Sequence, residues 1–342
     1  MKKKIIVTGG TGYIGSHTAV ELIAGGFEVV IIDNLYNSDI AVLEGIRAIT
    51  GVTPKFWQYD LCDIQKLEEV FVAEGKIDAI IHFAAYKAVG ESVRKPLEYF
   101  RNNLVSLMNL LEMMERHNTP AMVFSSSCTV YGQPDTLPVT EASPVKEAAS
   151  PYGYTKQAGE IIIRDTMVSR PSQKAVSLRY FNPIGAHPTA FLGELPRGVP
   201  ENLVPFITQT AMGLREELKV FGTDYDTPDG SCIRDYLHVV DLAKAHVIAL
   251  QRMLDGQNKT NYEVFNLGMG KGVSVLEAIS AFEKATGVKL KYSVTDRRAG
   301  DIEKIWADPS LANRELGWKT EISIEEAMET AWRWENRLKN KE

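Results

Sequence analysis

The chain has 342 residues, 44% of them hydrophobic and 24% charged, with a net charge of −6. This excludes a collagen-like, disordered or disulfide-scaffold protein. The length suits about two domains, and the acidic balance gives no reason to expect a nucleic-acid partner.

Cys62, Cys128 and Cys232 are odd in number and form no Cys-x-x-Cys pair, so free thiols in a reducing compartment are expected. Lys2-Lys3-Lys4 is followed by only Ile5-Ile6-Val7 before Thr8-Gly9-Gly10, too short an apolar run for a signal peptide. No stretch reaches the ~18 apolar residues of a membrane span. The expectation is a cytoplasmic protein with no membrane partner.

Along the chain, short apolar runs at Lys4–Val7, Glu28–Ile32, Lys55–Tyr59, Ala79–Phe83, Ala121–Ser125 and Ala175–Tyr180 read as strands. Helical patterns separate them. The clearest covers Leu97 to Met114, where Leu97, Phe100, Leu104, Leu107, Leu111 and Met114 recur at three- and four-residue spacing. Continuous apolar strands alternating with helices predict an α/β fold, a doubly wound parallel sheet covered on both faces. Near Asn182-Pro183 prolines and glycines multiply, which places a boundary there: one domain over 1–182 and a smaller, loop-rich one over 183–342. In the second half, helices are expected at Leu203–Leu214 and Asp241–Leu250. A strand at Tyr262–Leu267 is a candidate to rejoin the first sheet. Ser274/Glu277 and Ser323/Glu326 have capping-box spacing and open two more helices.

The first strand runs directly into Gly9-Gly10-Thr11-Gly12-Tyr13-Ile14-Gly15. Glycines there permit a tight turn and close approach of a pyrophosphate to a helix N-terminus, whose unpaired N–H groups and positive dipole end hold an anion. Asp33 ends the second strand, ~18 residues after Gly15, where a carboxylate binds a ribose diol. It would repel a 2′-phosphate, and residues 34–44 contain no Lys or Arg to receive one. NAD is therefore favoured over NADP, in a Rossmann-like domain. The spacing Gly9-x-x-Gly12-x-x-Gly15 resembles that of the extended short-chain dehydrogenase/reductase superfamily.

That resemblance demands a Tyr-x-x-x-Lys pair and a hydroxyl at the end of an earlier strand. Tyr152 and Lys156, four apart after Pro151, share one helix face. A phenol ordinarily titrates near ~10, so it needs a nearby cation to act as a base. Ser127 closes the strand that starts at Ala121 and can hold the same substrate oxygen. Tyr154 lies off the lysine's face and is expected to pack or face solvent.

Further segments narrow the resemblance: Ser125 to Gly132, Ser150-Pro151-Tyr152-Gly153, His82-Phe83-Ala84-Ala85, Lys87 to Ser92, Arg179 to Pro183, Arg234 to Val239 and Trp306-Ala307-Asp308. Together these resemble the UDP-glucose 4-epimerase family over nearly the whole chain. The resemblance implies an isomerase acting through a transient 4-keto sugar with tightly bound NAD. Its substrates would be UDP-glucose and UDP-galactose, and its assembly a homodimer paired through the helices at Leu97–Met114 and Tyr152 onward. It implies cofactor contacts from Gly9, Gly12, Tyr13, Ile14, Gly15, Asp33, Asn34, Leu35, Tyr36, Asn37 and Ser38. Asp60, Leu61, Phe83, Ala84, Ala85, Lys87, Asn102 and Phe181 would add to these, beside Ser127, Tyr152 and Lys156. UDP-sugar contacts would come from Ser127, Tyr152, Asn182, Asn202, Leu203, Phe221, Arg234, Arg298, Asp301 and Ile305. Arginines suit phosphate oxygens through their planar donor fork.

Three alternatives stay open at the level of sequence. Another NAD-dependent nucleotide-sugar oxidoreductase, a dehydrogenase, would exchange its NAD freely and need added cofactor. A dehydratase would carry an Asp-Glu pair after the catalytic hydroxyl, where this chain has Cys128-Thr129. A non-catalytic NAD-binding sensor would lack the Tyr or Lys. Ile305, before Trp306, is intermediate in size and leaves N-acetylated sugars open. The six histidines have no metal-ligand spacing, so no metal is expected.

Overall fold

The computed structural model describes residues 2–298 and 302–340. Six strands follow the apolar runs: β1 (Lys4–Thr8), β2 (Glu28–Ile32), β3 (Lys55–Trp57), β4 (Ala79–His82), β5 (Ala121–Ser127) and β6 (Lys174–Tyr180). The strand Tyr262–Leu267 joins them by pairing parallel to β6. The sheet order is Tyr262–Leu267, β6, β5, β4, β1, β2, β3, every pair parallel. Strand order reverses between β1 and β4. In an open parallel sheet this switch point leaves a crevice at the carboxyl ends of the strands.

The two-residue period of a strand decides which side chain enters which core. Ile5, Val7, Val29, Ile31 and Val123 pack in one buried cluster with Ala19 and Leu22 of the first helix (Tyr13–Ala24) and Leu242 and Leu250 of the helix Val239–Leu254. Ile6, Val30, Ile32, Ile80 and Met122 pack on the opposite face with Leu67, Val70, Leu110 and Ile163. Each such side chain contributes roughly 1.5–3 kcal/mol through burial. A third cluster around Ile207, Val220, Phe282 and Met328 supports the second half. There, short pairs of strands replace a continuous sheet: Asn182–Ile184 with Tyr236–His238, Ile233–Arg234 with Val273–Ser274, and Leu218–Phe221 with Tyr292–Thr295. Both expected capping boxes form, on Ser274 and Ser323.

The single helix expected over Leu97–Met114 is interrupted. It runs as Pro96–Phe100, a π-helical turn Arg101–Val105, then Ser106–Arg116. The wider turn brings the Asn103 side chain inward, where it accepts from Tyr86 N at 2.8 Å and donates to Tyr86 O and Thr155 Oγ1 at 3.0 Å each. The extra residue rotates the preceding turn off the core stripe, so Leu97 is 74% exposed while Leu107 and Met114 are buried. The helix at Leu203 ends at Ala211, and the one expected at Asp241–Leu250 extends over Val239–Leu254.

Candidate active site

The glycine loop sits at the switch point, and its shape leaves a cradle. A Cβ on Gly9 would lie 2.7 Å from Ala84 N, and one on Gly15 2.3 Å from Gly9 O. Both positions need glycine because backbone passes against backbone. A Cβ on Gly12 would meet only Gly9 O, at 3.1 Å, so its remaining surroundings are open. Gly12 caps the first helix without a side-chain bond, and the first turn carries no acidic residue. The N–H groups of Tyr13, Ile14 and Gly15 are thus orphan donors at a positive dipole end. These features fit a dinucleotide pyrophosphate.

Beyond β2, Asp33 is buried and organises its own loop. Its Oδ1 accepts from Leu35 N at 2.9 Å and Ser38 Oγ at 3.0 Å, and Oδ2 accepts from Thr11 N at 3.2 Å. One lone pair is left for a hydroxyl donor. Leu35 is held at φ 58, a costly conformation for a branched residue. Asn34 reaches Asp60 at 3.4 Å, and Tyr36 stacks near Tyr86 with ring centroids 4.6 Å apart. Asn37 is exposed beside them. Leu61 is buried next to Asp60, and Asn102 in the π turn donates to Asn103. Across the crevice, Phe83 packs 4.6 Å from the His246 ring, and Ala84 and Ala85 continue to Lys87, whose Nζ lies 3.5 Å from Glu194. The Tyr13 hydroxyl donates to Gly185 O at 2.6 Å, joining the first helix to the second half.

β5 and the helix Pro151–Ser169 bring the chemical groups together. Ser150 caps that helix by accepting from Gly153 N. Lys156 Nζ donates to Ser125 O at 2.6 Å, 4.9 Å from the Phe124 ring centroid and 5.8 Å from that of Tyr152. Ser127 Oγ accepts from Thr129 N at 3.2 Å, and its hydroxyl bears on the Tyr152 phenol. Burial raises the Tyr152 phenol well above its ordinary value, with Ser127 pulling it back. Burial lowers the Lys156 ammonium to about 8, against the pull of Glu160. Burial likewise pushes the Cys128 thiol to about 12, which makes it inert as a nucleophile. Tyr154 is exposed, edge-on to Phe100.

A network that the sequence did not point to lies behind this site. Glu160, one turn beyond Lys156, accepts from Ser126 Oγ at 2.5 Å and from Arg179 Nε and Nη2 at 2.9 and 2.6 Å. Arg179 Nη1 also donates to Tyr131 Oη at 3.0 Å. The only advance sign was that Glu160 follows Lys156 at helical spacing.

Of the residues expected at a nucleotide sugar, Arg234 bears electrostatically on the Cys128 thiol and donates to Ile233 O at 2.9 Å. Ile305 N reaches the same carbonyl at 3.2 Å, and Ile305 is buried. Phe181 is buried and Asn182 begins the next short strand. Asn202 donates to Glu194, and Leu203 follows it as the first residue of its helix. Phe221 and Arg298 lie together, guanidinium 5.5 Å from the ring centroid. Asp301 lies outside the described residues. Among the described residues no cluster of His, Cys, Asp and Glu can hold a metal.

The chain matches a family model described as GDP-mannose 4,6 dehydratase over residues 6–331. It is 50% identical over 332 residues to the UDP-glucose 4-epimerase of Bacillus subtilis (strain 168), covering 97% of this chain and 96% of that protein. The chain belongs to the UDP-glucose 4-epimerase family. The crystal structure of the Bifidobacterium longum member, in complex with NAD+ and UDP, superposes with a TM-score of 0.94 at 47% identity, over 99% of both chains. The Stenotrophomonas maltophila member, with bound NAD and formylated UDP-arabinopyranose, gives 0.96 at 46% identity, over 99% of this chain and 100% of that one. The family's Rossmann-like sheet is the one described above.

Proposed function

We propose that the protein interconverts UDP-galactose and UDP-glucose by inverting carbon 4 of the sugar, with NAD held on the glycine loop, the Asp33–Ser38 loop and Lys87. When bound, NAD supplies reversible hydride chemistry at that carbon. Tyr152 accepts the proton of the 4-hydroxyl while Ser127, beside the same phenol, holds the sugar oxygen. Lys156, anchored on Ser125 O, keeps a positive charge near the phenol and so favours the phenolate. The 4-keto sugar turns its other face, and Tyr152 returns the proton to the same oxygen. Arg234 binds phosphate oxygens of UDP, and Arg298 and Phe221 hold its far end.

The observation that carries epimerisation over dehydration is that, among the described residues, no free carboxylate bears on the phenol. The groups acting most on Tyr152 are Tyr180, Ser127, Cys128 and Tyr99. Glu160, the carboxylate bearing on Lys156, is locked by Arg179 through both oxygens. Elimination needs an acid and a base beside the sugar.

Finer readings accompany this one. Val93, Leu97, Tyr154, Ile161 and Val168 are exposed on the neighbouring helices, an apolar face suited to a homodimer. Cys62, Cys128 and Cys232 are free, which suits a cytoplasmic enzyme. Ile305 is smaller than an aromatic, which favours some turnover of UDP-N-acetylhexosamines.

The test offers purified protein UDP-galactose and UDP-N-acetylgalactosamine without added NAD and resolves products by NMR. Conversion to the gluco epimers is expected, and Tyr152→Phe should lose turnover about 10²–10⁴-fold. Keto-deoxy products would establish a dehydratase, and near-native turnover by Tyr152→Phe would refute its role. Light scattering should give twice the chain mass, falling to one in Ile161→Glu.

A further inference from the structure

Residues 186–202, distant in sequence from the nucleotide loops, form a strap whose side chains reach two of those loops. Ala186 and Gly193 form an antiparallel bridge, and His187 N donates to Leu192 O at 2.9 Å. The strap is pinned at two places. A Cβ on Gly45, in the helix Val42–Thr50, would lie 2.6 Å from Leu192, and one on Gly193 would lie 2.4 Å from Trp334. The Trp334 indole N–H also donates to Glu194 O at 2.9 Å.

From this base two side chains, three residues apart, reach opposite rims of the crevice. Arg197 Nη1 donates to Tyr36 O at 3.1 Å and Nη2 donates to Ser38 O. The Ser38 hydroxyl is itself bonded to Asp33 at 3.0 Å and Thr11 at 2.8 Å, so Arg197 braces the loop that carries the buried carboxylate. Glu194 Oε1 lies 3.5 Å from Lys87 Nζ and accepts from Asn202 Nδ2 at 2.6 Å. Residues 36–38 follow β2 and Lys87 follows β4, the two neighbours of β1 in the sheet. The glycine loop after β1 therefore lies between the strap's two points of attachment.

The geometry points to a latch: Arg197 and Glu194 close the strap over the dinucleotide crevice and govern how slowly NAD leaves it. This rests on the dinucleotide reading of the glycine loop. An enzyme that restores its cofactor in every cycle has no use for exchange, and a closed crevice prevents loss of the cofactor between the two half-reactions. Arg197 is exposed and bonds main-chain carbonyls, so its truncation opens the latch without cutting into a core. Removing two hydrogen bonds from a charged donor should speed release about tenfold or more. The Lys87–Glu194 contact is partly exposed, and salt should weaken it.

The experiment follows NAD directly. Purified holoprotein is diluted into NAD-free buffer and passed through a desalting column at intervals. It is then denatured, and the NAD per chain is counted. The original chain is expected to hold its NAD, while Arg197→Ala releases it at least about tenfold faster, with Arg197→Lys between them. Glu194→Gln should release faster than the original chain in about 0.01 M KCl and lose that difference in about 1 M KCl, where the screening length is roughly tenfold shorter. With saturating NAD restored, Arg197→Ala should turn over like the original chain. Release from both Arg197→Ala and Glu194→Gln at the original rate overturns the latch and leaves the dinucleotide reading intact. An original chain that carries and binds no NAD overturns both.

Discussion

Lys156→Met tests whether the candidate site is built at the expense of stability. Lys156 is 5% exposed, and burial takes its ammonium from 10.5 to about 8. At ~1.36 kcal/mol per unit, holding the charged form in the folded chain costs about 3 kcal/mol near neutral pH. The hydrogen bond to Ser125 O at 2.6 Å returns roughly 1.5–3 kcal/mol, the usual contribution of a charged donor. Methionine has similar length and no charge, so Lys156→Met should be about 0–2 kcal/mol more stable while losing turnover by ~10² or more. The assay is urea unfolding followed by tryptophan fluorescence, beside product formation. The pH dependence adds a second check. Because the folded value lies below the unfolded one, the unfolded chain binds more protons between about pH 8 and 10.5. Stability from this group therefore rises with pH across that window, and the rise should vanish in Lys156→Met. A variant less stable than the original by more than about 1 kcal/mol at pH 7 would refute the reasoning.

Two further outcomes rest on buried charge. Arg179→Met leaves the Glu160 carboxylate with Ser126 alone, and the Arg179–Glu160 pair is only 8% and 9% exposed. It should cost about 3–5 kcal/mol, whereas replacing both partners with apolar residues should cost less, as double-mutant unfolding would show. Burial also holds His17 and His82 down to about 3 and His246 to about 4, from 6.5. Their contribution is complete above the unfolded value and is lost as the pH falls from 6.5 toward those values. By pH 5 each should have cost roughly 2 kcal/mol. The urea midpoint should fall steeply from pH 7 to 5, and His246→Leu should flatten that fall.

Local spacing made much of this molecule legible. The apolar runs produced their strands because a buried parallel strand needs a continuous apolar stretch. Ser274 and Ser323 capped their helices because a capping box is complete within four residues. The glycine loop, Asp33, Ser127, Tyr152 and Lys156 could be picked out as candidates for the same reason: each lies in a short segment whose periodicity fixes where its side chain points. The expected helix at Leu97–Met114 failed where a tertiary contact intervened. Asn103 turned inward to meet Tyr86 and Thr155, and no three- or four-residue pattern encodes that demand.

What only the folded chain decided are contacts between distant residues. Arg179 meets Glu160 across 19 residues and Arg197 meets Ser38 across 159. Charged residues at those positions look like any solvated surface charge in the sequence. Tyr262–Leu267 carries a strand pattern, but its place beside β6 depends on which sheet edge the fold leaves open. The sequence by itself pointed to the candidate groups, because the proposed chemistry requires particular atoms on particular faces. The tertiary structure decided what braces those groups and what closes over them, because partners are selected by proximity in space.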